Sequence, residues 1–393
     1  MSKWEKVKIQ EVFDYASRGK SPNYVENSSI KVINQACIYW DDVIFDNVKF
    51  QDESKVNEGR FLIHGDILVN STGTGTLGRC NIFENTDSTS RYIADSHVTV
   101  MRPSKKISSS FFRYFMMAEN TQMEINLRCV NGSTNQIELS KEKFLDFLIP
   151  LPPIEEQKKI AEILDKASNL ISLRKKQIEK FDLLVKARFV EMFGDPVLNL
   201  MGWEKSELCN HISVVGGYAF KSDNFLESGI PVLRIGNINS GIFRNTNLVF
   251  WKKDDKLNRY LMYPNDLVIS LTGTVGKDDY GNVCILGDEY DCYYLNQRNA
   301  KLDLGETIDK YYLAYTLKFP MIKAKFTGIS RGVRQANISN SDILGLTIPI
   351  PPIPIQNQFA DFVQKVEKQK AQLQQGLVKL ELTYKALIQQ YFN

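Results

Sequence analysis

Two short runs carry groups that could hold an anion. Residues 72–74 read Thr-Gly-Thr and are followed by Arg79; residues 272–274 read Thr-Gly-Thr and are followed by Lys277. Hydroxyls of Thr72, Thr74, Thr272 and Thr274, with N–H groups uncovered by glycine, could donate to phosphate oxygens, and Arg79 and Lys277 would add charge. Neither run is a nucleotide-binding P-loop. Leu271 stands where the first glycine is required, and Asp278 replaces the serine or threonine after the lysine. A tight turn that needs glycine accounts for the same residues and is compatible with the phosphate reading.

A second set could read bases. Ser133, Asn135 and Gln136 in the first half and Arg331, Arg334 and Gln335 in the second have the side chains that pair with base edges: arginine with guanine, asparagine or glutamine with adenine. Gln136 and Gln335 occupy equivalent positions, 335 − 136 = 199. A residue shared by both halves fits loop support or phosphate contact better than base discrimination. Discrimination is expected where the halves differ, at 17–23 against 217–224 and around 234–237, which adds Lys221, Arg234 and Asn237 to the candidates.

Intrinsic catalysis finds little support. An adenine methyltransferase needs a glycine-rich cofactor loop and an Asn/Asp-Pro-Pro-aromatic motif, whereas the paired prolines here read Leu-Pro-Pro-Ile and Ile-Pro-Pro-Ile. Glu53-Ser54-Lys55 offers half of a nuclease motif, with nothing to complete it. The six cysteines (37, 80, 129, 209, 284, 292) lie far apart without a CxxC, and the three histidines are isolated from them. Neither a zinc site nor a disulfide framework is expected, and reduced thiols fit a cytoplasmic chain. The first ten residues are too polar for a secretory signal, and no apolar run reaches the roughly 20 residues that cross a bilayer. A net charge of +3 requires any DNA-binding charge to be local. Residues 310–341 are such a place, with six basic residues and no acid.

The elements that must position these residues are stated twice. The run 150–163, PLPPIEEQKKIAEI, is echoed at 349–362 as PIPPIPIQNQFADF, and 349 − 150 = 199. Trp4-Glu5-Lys6 and Trp203-Glu204-Lys205 share that offset. Asp66 and Asp266 each precede an apolar, strand-like run into the Thr-Gly-Thr turn. Strands are also expected at 43–45, 80–83, 97–101 and 283–286, with helices at 111–123, capped by the serines at 108–110, and at 308–318. After each proline pair, steps of four and three pick out Ile160, Leu164, Ala167, Ile171, Arg174 and onward to Met192, then Phe359, Val363, Val366, Lys370 and onward to Tyr391. Eight of ten positions in the first series and nine of ten in the second are apolar, a heptad seam on which two helices can pair. Glu155 and Glu156 favour the first helix start through its dipole. Pro354 and Ile355 replace them in the second copy, so that helix is expected to begin later, near Gln356.

The proline-rich run at 150–164 and its echo at 349–363, the Thr-Gly-Thr turns and the Gln-x-x-x-[Leu/Ile]-Ser segments ending at Ser140 and Ser339 resemble type I restriction–modification DNA specificity subunits. The resemblance spans essentially the whole chain. It implies an α+β protein with two pseudo-repeated α/β target recognition domains separated by two long antiparallel coiled-coil helices, pseudo-two-fold symmetric. The corresponding divisions are domains at 1–150 and 203–349, spacer helices at 151–194 and 350–393, and a linker at 195–202. The implied role is non-catalytic: one domain reads each half of a split, asymmetric site in double-stranded DNA. In that family the helices dock two modification methyltransferase subunits, here through Glu155, Glu156, Gln157 and Gln356, and restriction/translocase subunits join them. S-adenosylmethionine, ATP and Mg2+ would belong to those partners, not to this chain. The competing reading is a coiled-coil scaffold whose two domains bind protein.

Overall fold

The computed structural model describes residues 4–85, 89–132, 137–327 and 335–392, with backbone alone for Glu58 and Gln335. Packing divides the chain into Met1–Lys176 with Gln374–Asn393, and Gln177–Leu373. Each long helix begins in one unit and ends in the other.

In the first unit a four-stranded antiparallel sheet runs in the order Phe13–Arg18, Val98–Pro103, Ile67–Asn70, Cys80–Ile82. The second unit repeats it as Ile212–Gly216, Asn299–Leu304, Leu267–Ser270, Val283–Ile285. A second sheet in each unit contains one parallel pair, Ile30–Ile33 with Arg91–Ala94 and Ile230–Leu233 with Tyr293–Leu295. The apolar runs Ile67–Asn70 and Leu267–Ser270 are buried along their whole length, which explains their lack of polar alternation. Asp66 is fully buried beneath the first, where Arg102 holds both carboxylate oxygens at 2.8 and 2.9 Å.

Helices α1 (Ser109–Met117), α2 (Glu119–Arg128) and α3 (Lys141–Leu145) complete the first α/β body, and α4 (Ile154–Phe193) leaves it. Helices α5 (Lys310–Lys318), α6 (Pro320–Thr327), α7 (Asn340–Leu344) and α8 (Ile353–Phe392) answer them. Three expectations change. The helix expected over 111–123 is two helices, because Ala118 takes an extended ψ of 131° between them; Ser108 occupies the N-cap position without a side-chain cap bond. The segment 43–45 is not a strand: Val43 makes one bridge to Ile38, and Phe45 opens a 3-10 turn. Finally, α8 starts at Ile353, in register with Ile154 (353 − 154 = 199), not near Gln356. Pro354 fits inside its first turn, where a missing N–H leaves no intrahelical bond unmade.

At 40 residues each, α4 and α8 are about 60 Å long. In the first unit they run antiparallel, with Lys175 bonded to Glu381 at 2.9 Å and Gly376 giving room to Arg174. In the second unit Lys370 meets Asp182, and Phe359 packs on Phe189 and Phe193. The heptad seam is thereby filled: Ile160, Leu164, Val185, Phe359, Val363 and Val366 are all buried. Among the described residues no helix is long and apolar enough to cross a membrane.

The repeated Trp-Glu-Lys runs have a mechanical role. Lys6–Lys8 pairs with Leu148–Pro150, and Lys205–Glu207 pairs with Thr347–Pro349. Each pair ties the first strand of a domain to the segment just before its proline pair.

Candidate nucleic-acid interface

The structure brings together two motifs that lie about sixty residues apart in the chain. Thr272–Thr274 is a strand paired with Gln335–Asn337, with Thr274 opposite Gln335 and Thr272 opposite Asn337. In the first unit Thr72 bridges Glu138, and Leu139 N–H donates to the Ser71 carbonyl at 2.7 Å. The Thr-Gly-Thr run thus lies against the later segment in both units, as a strand pair in the second and as a single bridge from Thr72 to Glu138 in the first.

In the second unit the strand pair ends in a closed turn. The Asp279 carboxylate accepts from Thr274 N–H at 2.8 Å and from its hydroxyl at 2.9 Å, and the backbone bond holds this carboxyl below the usual range. Only glycine fits at 273, since a Cβ there would stand 2.3 Å from Asp279 Oδ1 and 2.7 Å from Tyr280 Cβ. Gly276 adopts φ +79°, and Lys277 stands exposed beside it. Lys323 pairs with Asp278 across the adjoining cleft, lined also by Tyr280 and Thr327. The turn is thus both the tight glycine turn and a platform carrying an outward lysine.

The first unit uses its version differently. The Thr72 hydroxyl lies 2.9 Å from His97 Nδ1 and 3.1 Å from Gln35 Oε1, so it is held inward, while Thr74 is exposed. Arg79 is half-buried against the loop. It donates to the carbonyls of Gly75 and Ile38 at 3.3 and 3.5 Å and lies over the Tyr39 ring, which makes it a brace for the loop.

Three further candidates are corrected by burial. Asn237 is 3% exposed; its Oδ1 accepts from Arg234 N–H and its Nδ2 donates to the carbonyls of Arg244 and Thr246, so it shapes a loop. Gln157 and Gln356, expected to meet partner subunits, are 0% exposed. Gln157 accepts from Ser108 N–H at 2.9 Å and donates to Lys106 and Pro152 carbonyls at 2.9 and 2.8 Å. Gln356 accepts from Asp309 N–H at 2.8 Å and donates to Thr307 and Pro351 carbonyls at 3.2 and 2.7 Å. Each glutamine locks the start of a long helix to the loop that enters α1 or α5. Glu155 is exposed and paired with Lys158 at 2.9 Å, and Glu156 is half-buried. Lys221 is exposed beside a 3-10 turn. Ser133, Asn135, Gln136, Arg331 and Arg334 lie outside the described residues, as does the Gln335 side chain.

Arg234 lines a cavity of about 560 Å3 together with Arg244 and Arg298. Its Nη2 donates to the Asn247 carbonyl at 2.6 Å, and its buried Nε has no hydrogen-bond partner among the described residues. Leu271 N–H donates to the Arg298 carbonyl, which sets this cavity beside the Thr272–Thr274 strand.

A family model described as the type I restriction modification DNA specificity domain matches residues 1–181 and again 201–382. The chain belongs to this type I specificity family. The specificity subunit of the type I restriction enzyme MjaVIII from Methanocaldococcus jannaschii is 25% identical over 407 residues, covering 96% of this chain and 91% of the relative. The EcoKI specificity subunit of Escherichia coli K12 is 25% identical over 292 residues, covering 68% and 60%. Among solved structures, a chain from a study of complex assembly and conformational transition in a type I system aligns at TM-score 0.61 with 16% identity over 99% and 97% of the two chains. The S subunit from M. genitalium aligns at 0.59 with 15% identity over 100% and 96%. The fold class expected from the sequence is that of these specificity subunits.

Within this specificity fold, sequence reasoning missed Arg244, Arg298, Gln35 and His97. Asp95 Oδ1 accepts from His97 N–H at 2.8 Å, and Asn296 Oδ1 accepts from Arg298 N–H at 3.2 Å, so the same short turn follows the parallel strand in both units. His97 and Arg298 are equivalent, but 298 − 97 = 201, and the drift from 199 conceals the pair in a fixed-offset comparison. The two turns also differ in charge: Asp95 is buried in one and Asn296 in the other, and burial pushes the Asp95 carboxyl up.

Proposed function

We propose that this chain is the DNA-reading subunit of a type I restriction–modification complex, each α/β unit reading one half of a split, asymmetric target in double-stranded DNA. The observation that carries the reading is one frame with divergent contents. Both units repeat the same sheets, the same Thr-Gly-Thr run against the later segment and the same turn, yet they present His97 and Asp95 in one case and Arg298 and Asn296 in the other. Identical heads would suit a palindrome; divergent heads suit two different half-sites.

The helices supply spacing. In this reading α4 and α8 hold the recognition domains (1–150 and 203–349) at a fixed separation and dock two modification methyltransferase subunits, with Glu155 and Glu156 on the accessible side of one helix start. This cytoplasmic chain performs no chemistry itself. S-adenosylmethionine is held by the methyltransferase subunits, and ATP and Mg2+ by restriction/translocase subunits. Thr74, Lys221, Thr272 and Lys277, with the segments that contain Ser133, Asn135, Gln136, Arg331, Arg334 and Gln335, supply phosphate and base contacts.

The test is to express the chain with its methyltransferase subunit and map methylated adenines in host DNA. A single asymmetric motif with two specified blocks and an unspecified gap is expected. A continuous or palindromic motif, or no sequence-dependent DNA binding by the assembled complex, would overturn the reading and favour the protein-binding scaffold.

A further inference from the structure

The cavity at Arg234 is lined by three arginines, Arg234, Arg244 and Arg298, and by no acidic residue. Arg244 and Arg298 are exposed, and among the described residues their side chains make no hydrogen bond or ion pair. Three basic residues around one opening, with no acidic residue in its lining, suit a ligand that brings acceptors. Arg234 is already oriented by its bond to the Asn247 carbonyl, and the buried ring of Phe220 forms part of the wall.

The first unit shows what kind of acceptor this is. Asp95 N–H donates to the Ile33 carbonyl and Asn296 N–H to the Leu233 carbonyl, so Asn34 is the counterpart of Arg234 and His97 that of Arg298. Where the second unit has two arginines and an asparagine, the first has asparagine, histidine and a buried aspartate. Phosphates are the same at every sequence, and a phosphate site needed by both units would keep its cations in both. Side chains that differ at equivalent positions suit base discrimination.

We propose, building on the DNA-reading role above, that Arg234 and Arg298 read guanine in the half-site bound by the second unit, through the O6 and N7 acceptors of the major groove. A fork of donors matches that acceptor pair, and neither Asn34 nor His97 at the equivalent positions offers one. Guanine is therefore specified in one half-site by residues that the other unit lacks.

The experiment compares wild type with Arg298→Gln and Arg234→Gln in the complex assembled with the methyltransferase subunits, using selection from a randomised duplex library and salt titration on the selected site. Wild type should select at least one G·C pair in the half-site assigned to the second unit. Each variant should lose discrimination at one G·C pair there by about 5- to 150-fold, with the other half-site unchanged and melting temperature retained. Arg298 makes no side-chain bond within the described protein, so its variant remains a fair test even if Arg234→Gln loosens the loop at Asn247. Unchanged base preference with uniformly weaker binding and a salt slope reduced by about one would assign the arginines to phosphate and overturn the inference. A second half-site without G·C would overturn it too. Loss of sequence-dependent binding by wild type would instead sink the DNA-reading role itself, a result the variants cannot produce.

Discussion

Replacing Gln356 with alanine removes the lock between α8 and its domain. The fully buried amide makes three bonds, from Asp309 N–H and to the carbonyls of Thr307 and Pro351. At about 1 kcal/mol net each, the loss is about 3 kcal/mol before any cavity is counted. For a unit near 200 residues this lowers the melting temperature by roughly 6–12 °C. Gln157→Ala should act equally on the other unit, because its three bonds are equivalent. Calorimetry of the two single variants reads both values, with exposed Glu155→Ala as a control that stays within about 0.5 kcal/mol. Gln356→Glu sharpens the test. It keeps an acceptor for Asp309 but turns a carboxylate toward two carbonyls, so it should be as unstable as alanine at pH 7 and recover as acidification supplies a proton to donate. A fall of less than about 2 °C in the alanine variants, or a glutamate variant insensitive to pH, would refute the lock.

Other perturbations follow from the same contacts. Arg102→Ala leaves the Asp66 carboxylate buried without its ion-pair partner and should cost about 3–5 kcal/mol; denaturant titration at neutral pH reads the deficit, and a loss below about 1 kcal/mol would contradict the pairing. Asp95 has a folded pKa raised by burial, so its ionised form opposes folding above its unfolded pKa and ceases to do so below it. Asp95→Asn, which keeps the acceptor for His97 N–H, should therefore raise the melting temperature at pH 7 and give no gain below about pH 4; a gain independent of pH would contradict burial as the cause. Inserting one heptad in both α4 and α8 adds about 10 Å, so the unspecified gap in the methylated motif should lengthen by roughly three base pairs, at 3.4 Å each. An unchanged gap would remove the spacing role.

Much of the architecture was legible because it is written in period and repetition. Heptad spacing announced α4 and α8, and the shared offset of 199 announced that the domains correspond. The candidate site was less legible, for physical reasons. Pairing of Thr272–Thr274 with Gln335–Asn337 joins segments about sixty residues apart, and neither carries a local signal for the other. Gln157 and Gln356 read as surface glutamines at helix starts, since a buried amide with three bonds and an exposed one share the same letter. Asn237, too, is a buried amide that its letter alone does not mark as buried. Pro354 suggested a delayed helix, although a proline in the first turn interrupts no bond. Arg298 and His97 escaped notice because small insertions between the halves shift the offset there, and only the matched turns behind Ile93 and Tyr294 restore the correspondence.

A domain exchange tests directly whether one domain reads one half-site. Residues 1–149 would be replaced by the equivalent domain of a relative with a different target, and adenine methylation mapped in a host carrying the complex. One half of the motif should change, with the other half and the gap preserved. Change in both halves, or in neither, would contradict that assignment.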